Sequence, residues 1–146
     1  MVIIPKVIFI DFYFFFVFFL IVSFLKIQFW FKSSYFFYFA ILFLLFAVDS
    51  FGITASGSKR WINLFFINLQ PSELMKIVLI IFLARYYYKI PSDNVSSIKY
   101  IFTPILAIFI PVILVASQPD LGTAVLILIS GIAVVWLTGF RIKFFL

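Results

Sequence analysis

The amino-acid sequence predicts an all-α protein that is embedded in a membrane as a polytopic bundle of about five helices. Of its 146 residues, 66% are apolar and only 11% are charged, and the mean hydropathy is +1.30. Soluble globular domains are typically about 45–50% apolar and about 25% charged, so the composition excludes that class. Apolar runs also recur along the chain at close to the roughly 20 residues that a helix needs to cross a bilayer.

Two missing residue types limit the chemistry. The sequence contains no Cys and no His, which excludes disulfides, thiolate or imidazole metal ligands, and a nucleophile activated by histidine. The formal net charge is +6, but the basic residues are scattered between apolar runs and form no continuous stripe. We therefore expect charged membrane loops rather than a nucleic-acid interface, and no cofactor or metal held by this chain.

Five apolar runs are the predicted membrane helices, and together they form a single domain over residues 1–146. Their approximate bounds are residues 7–25, 35–53, 72–88, 100–117 and 121–140. Pro111 lies inside the fourth run and predicts a kink there. The fifth run contains Gly122, Gly131 and Gly139, small residues that allow helices to approach closely.

The lysines and arginines of the short connections predict the orientation of the bundle. Seven fall on one side, namely Lys26, Lys32, Arg85, Lys89, Lys99, Arg141 and Lys143. Three fall on the other side, namely Lys6, Lys59 and Arg60. We therefore expect residues 26–34 and 85–99 to face the cytoplasm, and residues 50–70 and 118–120 to face outward. The chain would then begin on the outside, which suggests that a preceding helix is missing.

Three polar motifs interrupt the apolar runs, each next to a predicted helix. They are Gly57 with Lys59, Arg60 and Trp61; Gln70-Pro71-Ser72 with Glu73 and Lys76; and Gln118-Pro119-Asp120 with Gly122 and Thr123. In the second and third motifs, a Gln-Pro pair breaks the chain ahead of a helix, and a carboxylate follows near the positive end of the helix dipole. The charged members, which are the candidates for a substrate cavity, are Lys59, Arg60, Glu73, Lys76 and Asp120.

The charged residues of the second and third motifs each have two interpretations. Glu73 and Lys76 are three residues apart on one helix face and can pair. An ion pair inside a membrane normally faces protein or water and indicates a site. Alternatively, Glu73 caps the helix and Lys76 extends to the membrane interface. For Asp120, a plain helix N-cap is the simplest interpretation from the residues alone.

Together, the three motifs resemble those of the shape, elongation, division and sporulation family, whose members include RodA and FtsW. The resemblance covers nearly the whole chain from about Lys26 onward. The approach to the loop, residues 45–52, is more similar to RodA, the elongation member, than to FtsW. One departure is Phe65, where the family commonly has Gly, and it affects the shape expected for the outer loop.

The resemblance implies an enzyme of about ten helices in the bacterial inner membrane. Such an enzyme polymerises lipid II, the undecaprenyl-diphosphate-linked precursor, into glycan strands for cell shape and division, together with a class B penicillin-binding protein. The helices of this chain resemble the second to sixth of the family. The carboxylate thought to act as general base lies on a later outer loop, so we assign no catalytic residue here. A divalent metal in the intact enzyme would fit a diphosphate leaving group.

Three functions therefore remain open at the level of the sequence. The first is the N-terminal half of a peptidoglycan glycosyltransferase, expected to be inactive as a fragment. The second is a binder or transporter of the lipid-linked precursor that makes no bonds. The third is the inactive product of a decayed gene.

Overall fold

The computed structural model describes most of the chain from Lys26 onward. The described residues are 26–55, 58–63, 68–91, 95 and 97–139, together with Phe16, Leu20, Ser23 and Phe24, which are helical. The rest of the predicted first helix, residues 7–25, lies outside the described residues. By its internal contacts the chain divides into two compact units, residues 1–32 and 33–146, which we describe separately. In the first unit, the rings of Phe29 and Trp30 meet edge to face, with their centroids 5.8 Å apart.

Helices dominate the described part of the chain. In chain order, the elements are α1 (Ile27–Phe51), β1 (Ile53–Ala55), β2 (Ser58–Asn63), β3 (Asn68–Leu69), α2 (Pro71–Tyr88), α3 (Ile98–Ser117) and α4 (Leu121–Leu137). This architecture confirms the predicted helical fold class. The three strands were not predicted, and all of them lie in the connection between α1 and α2.

Helix α1 begins at Ile27, whereas the apolar pattern predicted a start near residue 35. The polar segment Lys32 to Ser34 was assigned to a loop, but it continues the helix, and Ser34 is buried. A membrane helix satisfies its backbone hydrogen bonds internally, so it can extend past its apolar stretch through polar residues. Within the second unit, one face of α1 is buried through Tyr38, Ile41, Leu45 and Val48, while Phe36, Phe39, Phe43 and Phe46 are exposed.

The connection between α1 and α2 folds into a small antiparallel sheet with the strand order β1-β2-β3. Trp61 of β2 lies opposite Ile53 of β1, and the register shifts just after Ile53. Ile62 of β2 lies opposite Leu69 of β3, two residues before α2 begins. The sheet therefore carries Arg60 of β2 to the end of the bundle at which α2 starts.

Helix α2 begins at Pro71, directly after Gln70. Proline suits the first helical position because its ring fixes a helical φ and the missing N–H would have had no partner within the helix. Glu73 lies in the first turn and Arg85 in the last, so each charge has the sign that the nearby end of the helix dipole favours. The face that packs into the core carries Met75, Leu79, Phe82 and Leu83, all of them buried.

Helix α1 is joined to α3 and to the turn after it by two buried hydrogen bonds between residues far apart in sequence. The Tyr38 hydroxyl donates to the carbonyl oxygen of Ala107 at 2.9 Å. The Gln118 side-chain amide donates to the carbonyl oxygen of Leu45, also at 2.9 Å. Buried polar groups are costly unless they are paired, so these bonds select one arrangement of α1 against the other helices.

Helix α4 ends at Leu137, earlier than the predicted boundary near residue 140. Its C-cap is Thr138, and Gly139 follows with a φ of +82°. Glycine adopts this left-handed conformation without a steric penalty and commonly stops a helix. Gly139 thus terminates the helix, and the prediction that it allows close helix packing is wrong.

Helices α3 and α4 approach closely where Gly131 faces Ile108. A Cβ atom at Gly131 would lie 2.6 Å from Cγ1 of Ile108, well inside van der Waals contact. Ile108 is buried and β-branched, so its side chain has little freedom to move away. At Gly122, by contrast, an added Cβ would meet no atom within 4 Å. Of these two glycines, only Gly131 has the role in close packing that the sequence predicted.

We expect Gly131→Ala to destabilise the chain and Gly122→Ala to leave it unchanged or slightly more stable. Overpacking of this kind typically costs about 1–3 kcal/mol, which exceeds the roughly 1 kcal/mol that Ala gains over Gly inside a helix. Gly122→Ala is the matched control on the same helix, since its Cβ would enter open space. Thermal unfolding in detergent, followed by circular dichroism, measures both. Equal midpoints for the two variants would contradict the contact with Ile108.

Two of the described helices are long and apolar enough to cross a membrane. These stretches are Ile27–Val48 in α1 and Lys99–Ser117 in α3, and α4 is a shorter apolar helix. At 1.5 Å per residue, the 20 residues of α3 cover about 30 Å, the thickness of the hydrocarbon core.

The two ends of α3 allow a direct test of the predicted orientation. Ser97 precedes the helix, Ser117 ends it, and both are exposed. The basic residues predict that Ser97 faces the cytoplasm and that Ser117 lies outside. In intact spheroplasts, we expect an impermeant maleimide to label Ser117→Cys but not Ser97→Cys, and to label both after permeabilisation. The chain contains no native Cys to add background, and the reverse pattern would invert the assigned topology.

Candidate functional site

Side chains from all three motifs meet at one end of the bundle. The guanidinium of Arg60 donates from Nη2 to the carbonyl oxygen of Pro119 at 2.6 Å, and its Nη1 lies 3.7 Å from Oδ1 of Asp120. The amide of Gln70 donates to Oδ2 of the same carboxylate at 3.3 Å. Asp120 therefore connects the strand β2, the start of α2 and the start of α4.

Asp120 also caps α4, as the simplest interpretation of the sequence predicts. Its Oδ1 accepts a hydrogen bond from the backbone N–H of Thr123 at 3.3 Å, which satisfies one of the free N–H groups at the helix start. The carboxylate thus has three partners: Oδ1 accepts from the Thr123 N–H and lies near Arg60, and Oδ2 accepts from Gln70. The capping interpretation is correct but accounts for only part of what this side chain does.

The charged side chains of this cluster, Arg60 and Asp120, are only partly shielded from solvent. The side chain of Asp120 is 10% exposed, and that of Arg60 is 32% exposed. Arg60 Nε is nevertheless buried and has no hydrogen-bond partner among the described residues. The guanidinium is therefore fixed through its two terminal nitrogens, a fork that lysine could not reproduce.

Gln70 joins this cluster to the second motif. The side-chain amide nitrogen of Gln70 lies 3.2 Å from the Ser72 hydroxyl. The backbone carbonyl oxygen of Gln70 accepts from the backbone N–H of Glu73 at 3.1 Å. Ser72 and Pro71 are buried. The first turn of α2 is thus fixed next to Asp120, and the charges of Glu73 and Lys76 follow within one turn.

Glu73 and Lys76 form an ion pair along α2, with Nζ and Oε1 2.9 Å apart. The Glu73 side chain is 54% exposed and that of Lys76 is 25% exposed, so the described residues do not enclose the pair. An exposed pair of this spacing adds only about 0.2–0.5 kcal/mol to helix stability. Because this ion pair lies on the surface next to the cluster, Lys76 is accessible to an anionic ligand.

The structure brings together some of the predicted site residues and leaves others apart. Arg60, Gln70 and Thr123 each contact Asp120, and Gln118 holds the turn before α4 against α1. Trp61 lies in the sheet and is half-buried. The backbone of Lys59 belongs to β2, whereas Gly57 lies outside the described residues, as does Phe65. Among the residues that the structure describes, no group of three acidic or other metal-ligating side chains is placed to hold a metal ion.

Leu45 is the participant that sequence reasoning missed, because it acts through its backbone carbonyl. Leu45 is fully buried, and its oxygen accepts the hydrogen bond from Gln118. A leucine in an apolar run gives no polar signal. The one clue in the sequence was Gln118 itself, since a glutamine next to apolar helices needs a partner.

This geometry accompanies a family match over nearly the entire chain. The family described as "Cell cycle protein", which comprises FtsW, RodA and SpoVE, matches residues 4–146. The chain belongs to this family. The predicted resemblance is thereby confirmed, and FtsW/RodA/SpoVE proteins are membrane proteins.

Relatives of this chain include proteins named MrdB and FtsW. The peptidoglycan glycosyltransferase MrdB of Escherichia coli K12 is 39% identical over 102 residues, covering 70% of this chain and 27% of that protein. A probable peptidoglycan glycosyltransferase FtsW of Buchnera aphidicola from Acyrthosiphon pisum is 36% identical over 138 residues, covering 92% of this chain and 35% of that protein.

Solved structures of FtsW/RodA/SpoVE proteins share the fold. RodA from Thermus thermophilus matches with a TM-score of 0.75 at 30% identity, over 84% of this chain and 40% of that one. A chain of a peptidoglycan synthase complex that coordinates polymerization and crosslinking matches with a TM-score of 0.74 at 31% identity, over 82% of this chain and 35% of that one. The chain thus spans between about a quarter and two fifths of the length of the relatives named here.

Proposed function

We propose that this chain forms part of the substrate cavity of a peptidoglycan glycosyltransferase of the bacterial inner membrane. The enzyme would polymerise lipid II during cell elongation and act with a class B penicillin-binding protein. The observation that carries the proposal is the convergence of Arg60, Gln70 and Asp120 at one end of the bundle, next to the ion pair of Glu73 and Lys76. The glycosyltransferase relatives and the solved synthase complex support it.

In this proposal, Arg60 and Asp120 have a different role from Lys76. Arg60 and Asp120 position the starts of α2 and α4, because each bonds to backbone or side chains of the other elements. Lys76 has a partly exposed ammonium whose position is set by Glu73. A cation placed in this way would stabilise the negative charge that builds up on a diphosphate leaving group.

Neither carboxylate of the site has the environment of a general base. Glu73 is paired with Lys76, and Asp120 accepts from Gln70 and Thr123 while lying next to Arg60. A general base needs an oxygen within hydrogen-bond reach of the proton that it removes, and the contacts of these two carboxylates are with groups of this chain. We therefore assign positioning and charge stabilisation to this chain and leave the base unassigned. The alternative function, a binder or transporter of the lipid-linked precursor, would use the same lysine and needs no base.

A chimera can test polymerisation with the residues of this chain. This chain replaces the aligned segment of E. coli MrdB, the purified chimera receives fluorescent lipid II, and the products are separated on a gel. We expect glycan ladders from the chimera and a strong loss with Lys76→Met. Lys32→Met is the matched control, since Lys32 is an exposed lysine outside the site.

Binding of lipid II, measured on the same chimera, separates the two functions. Binding without ladders would favour the binder or transporter over the polymerase. A folded chimera that neither binds lipid II nor forms ladders would overturn both functions and leave the inactive product.

A further inference from the structure

Helix α3 contains two prolines in its interior, Pro104 and Pro111. In an α-helix, each backbone N–H donates to the carbonyl four residues earlier, and proline has no N–H. The carbonyl oxygens of Tyr100 and Ala107 therefore lack their regular donors within α3. Because the hydrocarbon region offers no water to pair with a free carbonyl, each of these two groups needs a donor from elsewhere in the protein.

Each of these two carbonyls accepts a hydrogen bond from a tyrosine of another helix. The hydroxyl of Tyr38, on α1, donates to the carbonyl oxygen of Ala107 at 2.9 Å. The hydroxyl of Tyr86, on α2, donates to the carbonyl oxygen of Tyr100 at 3.1 Å. Each hydroxyl thus takes the place of the N–H that a proline removes, and α1 and α2 supply one hydroxyl each.

The packing of the helices encloses the bond from Tyr38. Pro104, Ala107 and Pro111 are all buried, and their spacing of three and four residues puts them on one face of α3. Tyr38 is itself 3% exposed. Its ring packs on the ring of Phe82 on α2, with the centroids 4.3 Å apart. Because this contact fixes the ring of Tyr38, its hydroxyl is held at the face of α3 that carries the free carbonyl.

The half of α3 that contains Pro111 is bonded to α1 on both sides of this proline. The bond from Tyr38 lies before Pro111, and the bond from the Gln118 amide to the Leu45 carbonyl lies after it. Prolines are the places at which helices bend most readily. The turn that carries Asp120 begins less than two helical turns beyond Pro111, so a change of bend there would move this turn.

We infer that Tyr38 and Tyr86 are substitute donors for the backbone of α3, one for each proline. By holding α3 at Pro111, Tyr38 also positions the turn that carries Asp120. The course of α3 is then set by α1 and α2 as well as by its own backbone. This inference concerns the conformation of the chain and does not depend on the proposed enzymatic function.

A double-mutant cycle on the full 146-residue chain in detergent tests whether Tyr38 is paired with Pro111. Pro111→Ala restores an N–H that can donate to the Ala107 carbonyl within the helix. When residue 111 is proline, Tyr38→Phe leaves that carbonyl unpaired and should lower the midpoint of thermal unfolding by about 4 °C. In the Pro111→Ala background, the same change should lower the midpoint by no more than about 1 °C.

Tyr86 and Pro104 form a second cycle, which also supplies the matched controls. Tyr86→Phe should depend on Pro104→Ala in the same way, with a smaller shift because the Tyr86 hydroxyl is only part-buried. The crossed combinations should show no coupling: Pro104→Ala should not reduce the effect of Tyr38→Phe, and Pro111→Ala should not reduce that of Tyr86→Phe. This second cycle keeps the inference testable if Pro111→Ala fails to fold.

Spin labels report the position of the turn directly. The sequence has no native Cys, so labels can be attached to Ala84→Cys on α2 and Leu121→Cys at the start of α4, both exposed positions. We expect Tyr38→Phe to broaden the distribution of distances between the labels, measured by double electron–electron resonance. Tyr86→Phe should leave its width unchanged, because the bonds of Tyr38 and Gln118 still hold the half of α3 next to the turn.

Two outcomes would overturn the inference. An equal shift of the unfolding midpoint by Tyr38→Phe, with and without Pro111→Ala, would show that the hydroxyl does not replace the missing N–H. An unchanged distance distribution in Tyr38→Phe would show that Tyr38 does not position the turn that carries Asp120.

Discussion

Lys76→Met is expected to lower lipid II polymerisation by the MrdB chimera by about 100-fold, the effect of removing one preorganised group that stabilises transition-state charge. Glu73→Gln should cause a smaller loss, because the ammonium of Lys76 remains but loses the partner that fixes it at 2.9 Å. Neither change should unfold the protein, since an exposed i, i+3 pair contributes only about 0.2–0.5 kcal/mol.

The double variant distinguishes a coupled pair from two separate contributions. If Glu73 acts by orienting Lys76, then Glu73→Gln should add little once Lys76 has been replaced, and the combined loss should be smaller than the product of the single losses. The measurement is the initial rate of ladder formation at saturating lipid II for the four proteins of the cycle. Multiplicative losses would mean that the two residues act separately. Full activity in both single variants would support the interpretation in which Glu73 caps the helix and Lys76 only extends to the membrane interface.

Asp120→Ala is expected to be the most destabilising single change at the site, by about 2–3 kcal/mol. It removes the cap on the Thr123 N–H, one acceptor of the Gln70 amide and the ion-pair partner of Arg60. Asp120→Asn keeps an oxygen for the cap, but it replaces the oxygen that accepts from Gln70 by an NH2 group, and it loses the charge. Because Arg60 is one third exposed, we expect that loss to be about 1 kcal/mol or less.

Thermal unfolding of the full chain in detergent ranks the stability of wild type, Asp120→Asn and Asp120→Ala. The same measurement at raised salt provides a control. Salt should reduce the difference between wild type and Asp120→Asn, since it screens the ion pair with Arg60. It should leave the effect of Asp120→Ala on the cap largely unchanged. Equal stability of the two variants would show that Asp120 does not act as the cap of α4.

The sequence predicted where the helices lie along the chain, but it did not predict every helix boundary. The apolar runs located α2 and α3 to within two residues at each end, because Pro71 and the polar segment before residue 98 are strong boundary signals. The start of α1 was missed because polar residues at a membrane interface can extend a helix, so hydropathy marks the bilayer rather than the helix. The end of α4 was readable from Gly139, whose stop signal was interpreted as a packing position.

The sequence identified residues of the site, but it did not predict the contacts between them. The three motifs identified Arg60, Gln70 and Asp120 as candidates, but no local pattern states that a β2 arginine reaches a carboxylate 60 residues later in the chain. That contact depends on the sheet between α1 and α2, whose strands are two to six residues long and too short for a period-two pattern to be recognised. The three strands therefore depend on tertiary packing and not on a local sequence pattern.

The hydrogen bond from Gln118 to the Leu45 carbonyl has a consequence for how the chain assembles during synthesis. The two residues are 73 positions apart, and a ribosome adding about 5–20 residues per second needs about 4 to 15 s to travel between them. Throughout that interval α1 is already made, but the Gln118 amide that donates the additional hydrogen bond to its Leu45 carbonyl does not yet exist. The contact between α1 and the turn before α4 is therefore a late step of assembly, because it forms only after that turn has emerged from the ribosome.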